Sequence, residues 1–170
     1  MEQFEIERKY LIRRPDEAYL RGNAAFSEIA QTYLLAKPGE TERVRKRTDA
    51  HGTIYTHTVK QRLTAVRRIE REEEISAEEY EALLKRADPS AHTIEKQRWV
   101  LVYEGQHFEL DIFPFWERQA YLELEISHEA QEIRFPPEIT VLREVTEDTR
   151  YTNASLARAI PAEDPEGELT

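Results

Sequence analysis

Apolar and charged residues alternate along much of this chain with a period of two. In Phe108-Glu109-Leu110-Asp111-Ile112 and Leu122-Glu123-Leu124-Glu125-Ile126, every second residue is apolar and the residues between are acidic. Successive side chains of a strand point to opposite faces, so each run predicts a strand with one apolar and one charged face. The same reading places strands near 3–12, 27–36, 41–48, 53–62, 67–75, 93–104, 106–113 and 119–127. Gly105 marks a hairpin turn between the sixth and seventh strands, and Gly39 and Gly52 mark other turns. One helix is clearly signalled: Ser76 and Glu79 form a capping box, Tyr80, Leu83, Leu84 and Ala87 form an apolar stripe, and Pro89 ends it. Shorter helices are expected from Pro15 and near 152–159. This strand-rich, mostly antiparallel pattern predicts an α+β protein or a β-barrel.

Composition narrows the picture. A chain of 170 residues suits one domain, expected over 1–160, with an acidic, Pro-containing and disordered tail over 161–170. There is no cysteine, which removes disulfides, thiolate metal sites and thiol nucleophiles. No apolar run approaches the ~20 residues that span a membrane, and the N-terminus lacks an apolar signal-peptide core. A cytoplasmic protein with no membrane partner is expected. The net charge of −10 argues against nucleic acid as a partner.

The charged faces carry the chemistry. Glu5, Glu7 and Lys9 share a face, as do Arg43, Arg45 and Arg47. So do Thr56, Thr58, Lys60 and Arg62; Arg68, Glu70, Glu72 and Glu74; and Lys96 and Arg98. Glu109 and Asp111 form another face, and Glu123 and Glu125 another. A single such strand is most simply a sheet with one solvated face. Seven strands, with basic residues on the third, fourth and sixth and acidic ones on the fifth, seventh and eighth, suit a curled sheet whose charged faces look inward. Arginine forks bind phosphate bidentately and lysine binds it as a point charge. Clustered carboxylates suit hard cations such as Mg²⁺ or Mn²⁺. A polyphosphate uses both, whereas a simple anion needs no acidic half.

These residues resemble the CYTH superfamily, or triphosphate tunnel metalloenzymes, over most of the chain. The resemblance rests on Glu5-x-Glu7-x-Lys9, Arg43-Val44-Arg45, Thr58-Val59-Lys60 and Arg68-x-Glu70-x-Glu72-x-Glu74-Ile75. Lys96-x-Arg98, Glu109-Leu110-Asp111, Glu123-Leu124-Glu125 and a closing Glu144-Val145-Thr146-x-Asp148-x-Arg150-Tyr151-x-Asn153 follow in the family's order. It implies an α+β fold, an eight-stranded antiparallel β-barrel (tunnel) with a charged interior flanked by a few helices, in which Lys9, Arg43, Arg45, Lys60, Arg68 and Arg98 hold phosphate. Glu5, Glu7, Glu72, Asp111, Glu123 and Glu125 would serve one or two Mg²⁺ or Mn²⁺ ions. Tyr33 and Lys96 match a catalytic pair of small bacterial members, beside catalytic roles for Glu5 and Glu7. Tyr33 shares a face with Gln31 and Leu35, which either turns inward or packs.

The implied activity is metal-dependent hydrolysis of inorganic triphosphate to pyrophosphate and phosphate. An adenylyl cyclase of class IV type, a nucleoside or thiamine triphosphatase, and a non-catalytic polyphosphate-binding module are the competing readings. The His-Phe pair that such cyclases carry upstream of Glu-x-Glu-x-Lys is absent, since only Met1-Glu2-Gln3-Phe4 precedes Glu5. No Gly-rich phosphate loop is present. The five histidines show no metal-ligand spacing, and Trp99 and Trp116 are expected to pack.

Overall fold

The structure, a computed structural model, describes residues 2–163. The Glu5 side chain and most of the acidic tail lie outside the described residues. All eight expected strands form: Glu2–Arg13 (β1), Ala24–Leu34 (β2), Glu40–Asp49 (β3), Gly52–Arg62 (β4), Arg67–Ile75 (β5), Ile94–Tyr103 (β6), Gln106–Ile112 (β7) and Gln119–Glu125 (β8). A short strand over Val141–Glu144 (β9) was not expected. Neighbours run antiparallel in the order β5-β4-β3-β2-β6-β7-β8-β1-β9, and β1 also pairs with β5, which closes the barrel. The long first strand does this by dividing its edge. Glu2–Ile6 pair with β5, and beyond them β9 takes over the same edge at Tyr10–Ile12.

The helices follow their caps. Ser76 accepts from the Glu79 amide and opens Ala77–Leu84 (α2), as the capping box predicts. The first helix, Glu17–Asn23 (α1), starts two residues later than Pro15 suggests, because Asp16 is the N-cap and accepts from the Ala18 amide. Near the C-terminus a 3-10 turn at Thr149–Tyr151 leads into Asn153–Leu156 (α3), capped by Thr152. At Gly105, φ is +75°, the left-handed conformation its hairpin turn needs. No described helix is long and apolar enough to cross a membrane.

Three apolar clusters hold the barrel. The largest lies outside it, on the outward residues of β1, β6, β7 and β8, including Tyr10, Trp99, Leu110, Leu122 and Leu124. Leu20 of α1 and Ile133, Phe135 and Ile139 of the β8–β9 connection cover them. These strands are therefore buried on both faces, and β8 is buried from Gln119 to Leu124. Each fully buried leucine here is worth about 2 kcal/mol of burial free energy. A smaller cluster seats Tyr80 of α2 on Leu34, Val44 and Ile75. The third fills the barrel interior at one end. Leu11, Tyr33, Ile94, Phe113 and Tyr121, which share inward parity with the charged residues, pack with Trp116, Val145, Tyr151 and Leu156. The rings of Trp116 and Tyr121 meet edge to face at 5.3 Å. Trp99 stacks outside on Phe26 at 4.7 Å, so both tryptophans pack as expected.

Candidate active site

Above this aromatic plug the barrel encloses a cavity of about 530 Å³. Eight basic and six acidic side chains line it, together with Tyr33 and residues 152–154 of the C-terminal segment. Period-two alternation put them there, but register decides what each one meets. Arg98 is registered opposite Asp111, Lys9 opposite Glu123, and Lys60 opposite Glu70.

The β6–β7–β8–β1 side is a buried ion-pair network. Arg98 grips Asp111 with both arms, Nε to Oδ1 at 2.8 Å and Nη2 to Oδ2 at 2.9 Å. Lys96, diagonal to it, reaches the same carboxylate at 2.8 Å. Asp111 thus serves two cations, and although burial would raise its pKa, Arg98 and Lys96 hold it far below the usual carboxylate range. Burial, which Asp111 only partly offsets, lowers the Lys96 pKa to about 7. Lys9 Nζ lies 3.1 Å from Glu123, 3.0 Å from the Tyr151 carbonyl oxygen to which it donates, and 4.7 Å over the Tyr121 ring. Against the effect of burial, Lys9 brings Glu123 down to about 2. Glu109, 2.5 Å from Arg98, goes the other way, because burial outweighs the arginine.

Strand β3 is built differently. Arg43 is registered between Tyr33 and Thr58, and Arg45 between Gln31 and Thr56, so both have uncharged neighbours on each side. Arg45 donates to the Gln31 amide oxygen at 2.9 and 3.3 Å. Arg43 Nε is buried with no hydrogen-bond partner among the described residues. Burial, with Arg43 and Arg98 nearby, pulls the Arg45 guanidinium below its ordinary range. Two half-buried guanidinium groups with no carboxylate across the ladder on either side are costly unless an anion joins them. Bidentate arginine forks suit phosphate oxygens.

No protein-family model matches the chain. An inorganic triphosphatase of Nitrosomonas europaea is 33% identical over 160 residues, covering 92% of this chain and 99% of that one. The chain belongs to the CYTH superfamily. The crystal structure of an inorganic triphosphatase is 32% identical, covers 93% of this chain and 97% of its own, and superposes with a TM-score of 0.59. A putative adenylyl cyclase from Hippeastrum with a dominant triphosphatase activity shares the fold alone, at 16% identity, 72% and 80% coverage and a TM-score of 0.50.

Within this CYTH barrel most of the expected site residues converge. Lys9, Arg43, Arg45, Lys60, Arg68, Arg98, Glu7, Glu72, Glu123 and Tyr33 all line the cavity. Glu7 pairs with Arg68, and Glu72 accepts from Thr58 at 2.7 Å. Three residues differ from expectation. Asp111 lies beneath the lining, saturated by Arg98 and Lys96, rather than offering free oxygens to a metal. Lys96 is fully buried there too, and donates to Asn153 at 3.3 Å, which does line the cavity. Glu125 is exposed at the end of β8 and is not among the lining residues, because burial of the inward face stops at Glu123.

Sequence reasoning left Glu70, Glu109, Asn153 and Gln31 without roles. Glu70 and Glu109 stood on the right faces, and Asn153 stood in the closing signature, so parity and motif could have flagged them. Gln31 had only its parity with Tyr33. For a hard cation the relevant observation is Glu70: its Oε2 is buried, without a hydrogen-bond partner among the described residues, 3.8 Å from Lys60. Such an orphan oxygen beside Glu72 and Glu7 fits a hard ion's preference for carboxylate. No three described acids or histidines form a complete cage.

Proposed function

We propose that this protein hydrolyses inorganic triphosphate to pyrophosphate and phosphate. The observation that carries the reading within this family is the β3 wall, where Arg43 and Arg45 enter the cavity with no salt bridge to an acid among the described residues. A triphosphate brings the missing negative charge. Arg43, Arg45 and Lys60 bind its oxygens, and these fixed cations stabilise the charge that gathers on them as the phosphoryl group transfers. Water attacks the terminal phosphorus, that phosphorus–oxygen bond to the bridging oxygen breaks, and pyrophosphate leaves. Lys9 and Arg98, fixed by Glu123 and Asp111, form a rigid base on which the chain of phosphates lies.

Mg²⁺ or Mn²⁺, as one or two ions, is part of this proposal. Glu7, Glu70, Glu72 and Glu123 would hold it, and when bound it neutralises phosphate oxygens and acidifies the attacking water. A free, cytoplasmic enzyme that needs no nucleic acid is also part of the reading, supported by the net charge of −10 and the lack of cysteine.

Phosphate release from tripolyphosphate, ATP and thiamine triphosphate, each with Mg²⁺, Mn²⁺ or EDTA, tests it. Fast metal-dependent release from tripolyphosphate with slow ATP turnover is expected, and Glu7→Gln and Lys9→Ala each abolish it. Turnover mainly of ATP, or cyclic AMP formation, would replace the proposal with a nucleotide enzyme. Binding of tripolyphosphate without turnover would leave a binding module.

A further inference from the structure

Gln31 is wholly buried on β2, and its place in the network is fixed by what its neighbours can do. Arginine has no acceptor atom, so the two N–H groups that Arg45 directs at Gln31, at 2.9 and 3.3 Å, must meet the amide oxygen. The amide NH₂ is thereby turned to Tyr33, and Nε2 donates to its hydroxyl oxygen at 3.1 Å. A tyrosine that accepts in this way keeps its own O–H to give elsewhere. Tyr33 lines the cavity, and its hydroxyl has no acceptor among the described residues.

We propose that Gln31 is a positioning residue with two effects. Its oxygen fixes the Arg45 fork through a neutral partner and leaves the arginine's charge for the ligand. Its N–H obliges Tyr33 to direct its proton into the phosphate cavity, where it donates to a phosphoryl oxygen. A carboxylate at this position would hold Arg45 just as firmly but would cancel its charge and take the Tyr33 proton for itself. This rests on the triphosphatase reading above.

The test is a double-mutant cycle of Gln31→Met and Tyr33→Phe, with Gln31→Glu as a near-isosteric variant. For each, kcat and KM on tripolyphosphate, tripolyphosphate affinity by titration calorimetry and the melting temperature are measured. Gln31→Glu is expected to lower kcat roughly hundred- to thousandfold, as loss of one donor to a transition-state oxygen does, and to match Tyr33→Phe. It should also weaken tripolyphosphate binding about tenfold, which Tyr33→Phe alone does less. Gln31→Met should lower kcat in the parent, and leave kcat unchanged when Tyr33 is already Phe, while its effect on KM through Arg45 persists. Additive effects on kcat overturn the proposal, as does parent-like kcat in Tyr33→Phe or in a folded Gln31→Glu. So does a lower melting temperature with unchanged kinetics, the signature of a purely structural amide. If the Gln31 carboxylate variant does not fold, Gln31→Met decides. No turnover by the parent would sink the triphosphatase reading instead, and the same cycle run on tripolyphosphate affinity would still judge Gln31: non-additive losses support it, additive ones overturn it.

Discussion

Strands β3 and β6 point basic side chains into one cavity and use them in opposite ways. On β6, Arg98 and Lys96 are registered beside the acids of β7 and share Asp111. On β3, Arg43 lies between Tyr33 and Thr58 and Arg45 between Gln31 and Thr56, so their direct neighbours on β2 and β4 are uncharged. The first arrangement satisfies its charges within the fold, and the second leaves them for a ligand. A basic residue on an inward face is therefore no guide to its role until the residue across the ladder is known. Cross-strand neighbours, about 5 Å apart, decide it.

The sharpest way to break the β6 side is Asp111→Asn. It removes the one carboxylate shared by two buried cations, and a broken buried pair costs about 3–5 kcal/mol. Urea denaturation should show that loss. Replacing Arg98, Lys96 and Asp111 together by apolar residues of similar size should cost much less, since the cations that need compensation go with the acid. A similar loss in both variants would mean that packing, not charge, dominates there.

On β3 the expected signs reverse. Arg45→Met should leave folding stability unchanged or slightly higher, because it removes a buried cation crowded by Arg43 and Arg98. Tripolyphosphate binding should weaken by about 2–3 kcal/mol, the usual worth of a hydrogen bond to a charged group. Calorimetric titration beside a thermal melt measures both. A stability loss as large as that of Asp111→Asn would erase the distinction between the two sides.

This distinction marks where the sequence stops being legible. Alternation placed Glu7, Lys9, Arg43, Lys60, Glu72 and Glu123 on the inward face without error, since face parity is local. It could not tell that Asp111 is sequestered beneath the lining and that Glu125 is exposed, because depth along the barrel depends on strand stagger, which no single strand encodes. β9 is four residues long and pairs through an irregular register with β1, so it carries too few positions to show a period. The plug residues Phe113 and Trp116 are far from Tyr151 in sequence, and only the folded C-terminal segment brings them together. Gln31 looks like any strand glutamine until Arg45 and Tyr33 are seen on either side of it.

A change of pH probes the ion-paired side without a mutation. Folding lowers the Lys96 pKa from the ordinary 10.5 to about 7. Between those values the unfolded chain holds the proton more tightly, so stability should rise as pH increases from 7 towards 10.5. The slope from this one group is at most about 1.4 kcal/mol per pH unit. Lys96→Met should flatten that limb. Glu123, lowered from 4.5 to about 2, has its effect at the acid end: its contribution is complete above 4.5 and is lost as pH falls towards 2. Denaturation midpoints from pH 2 to 10 record both limbs. A Lys96→Met protein with the parent's alkaline limb would place that titration elsewhere.

The smallest effect is expected where the plug is tied down. Arg158, just after α3, bonds to Asp88 and Ser90 of the segment following α2, and the His92 amide donates to the Ala157 carbonyl at 2.7 Å. Arg158 is half exposed, and such surface pairs contribute about 0–1 kcal/mol. The weight of the plug rests instead on buried Leu156, Tyr151 and Trp116. Arg158→Ala should therefore lower stability by less than about 1 kcal/mol and leave KM for tripolyphosphate unchanged. Leu156→Ala should cost about 2–5 kcal/mol and, by loosening α3, disturb Asn153 and with it the Lys96 contact. If Arg158→Ala instead shifts kcat while Leu156→Ala does not, the C-terminal segment is held by its surface latch, and the buried plug is not what fixes the end of the cavity.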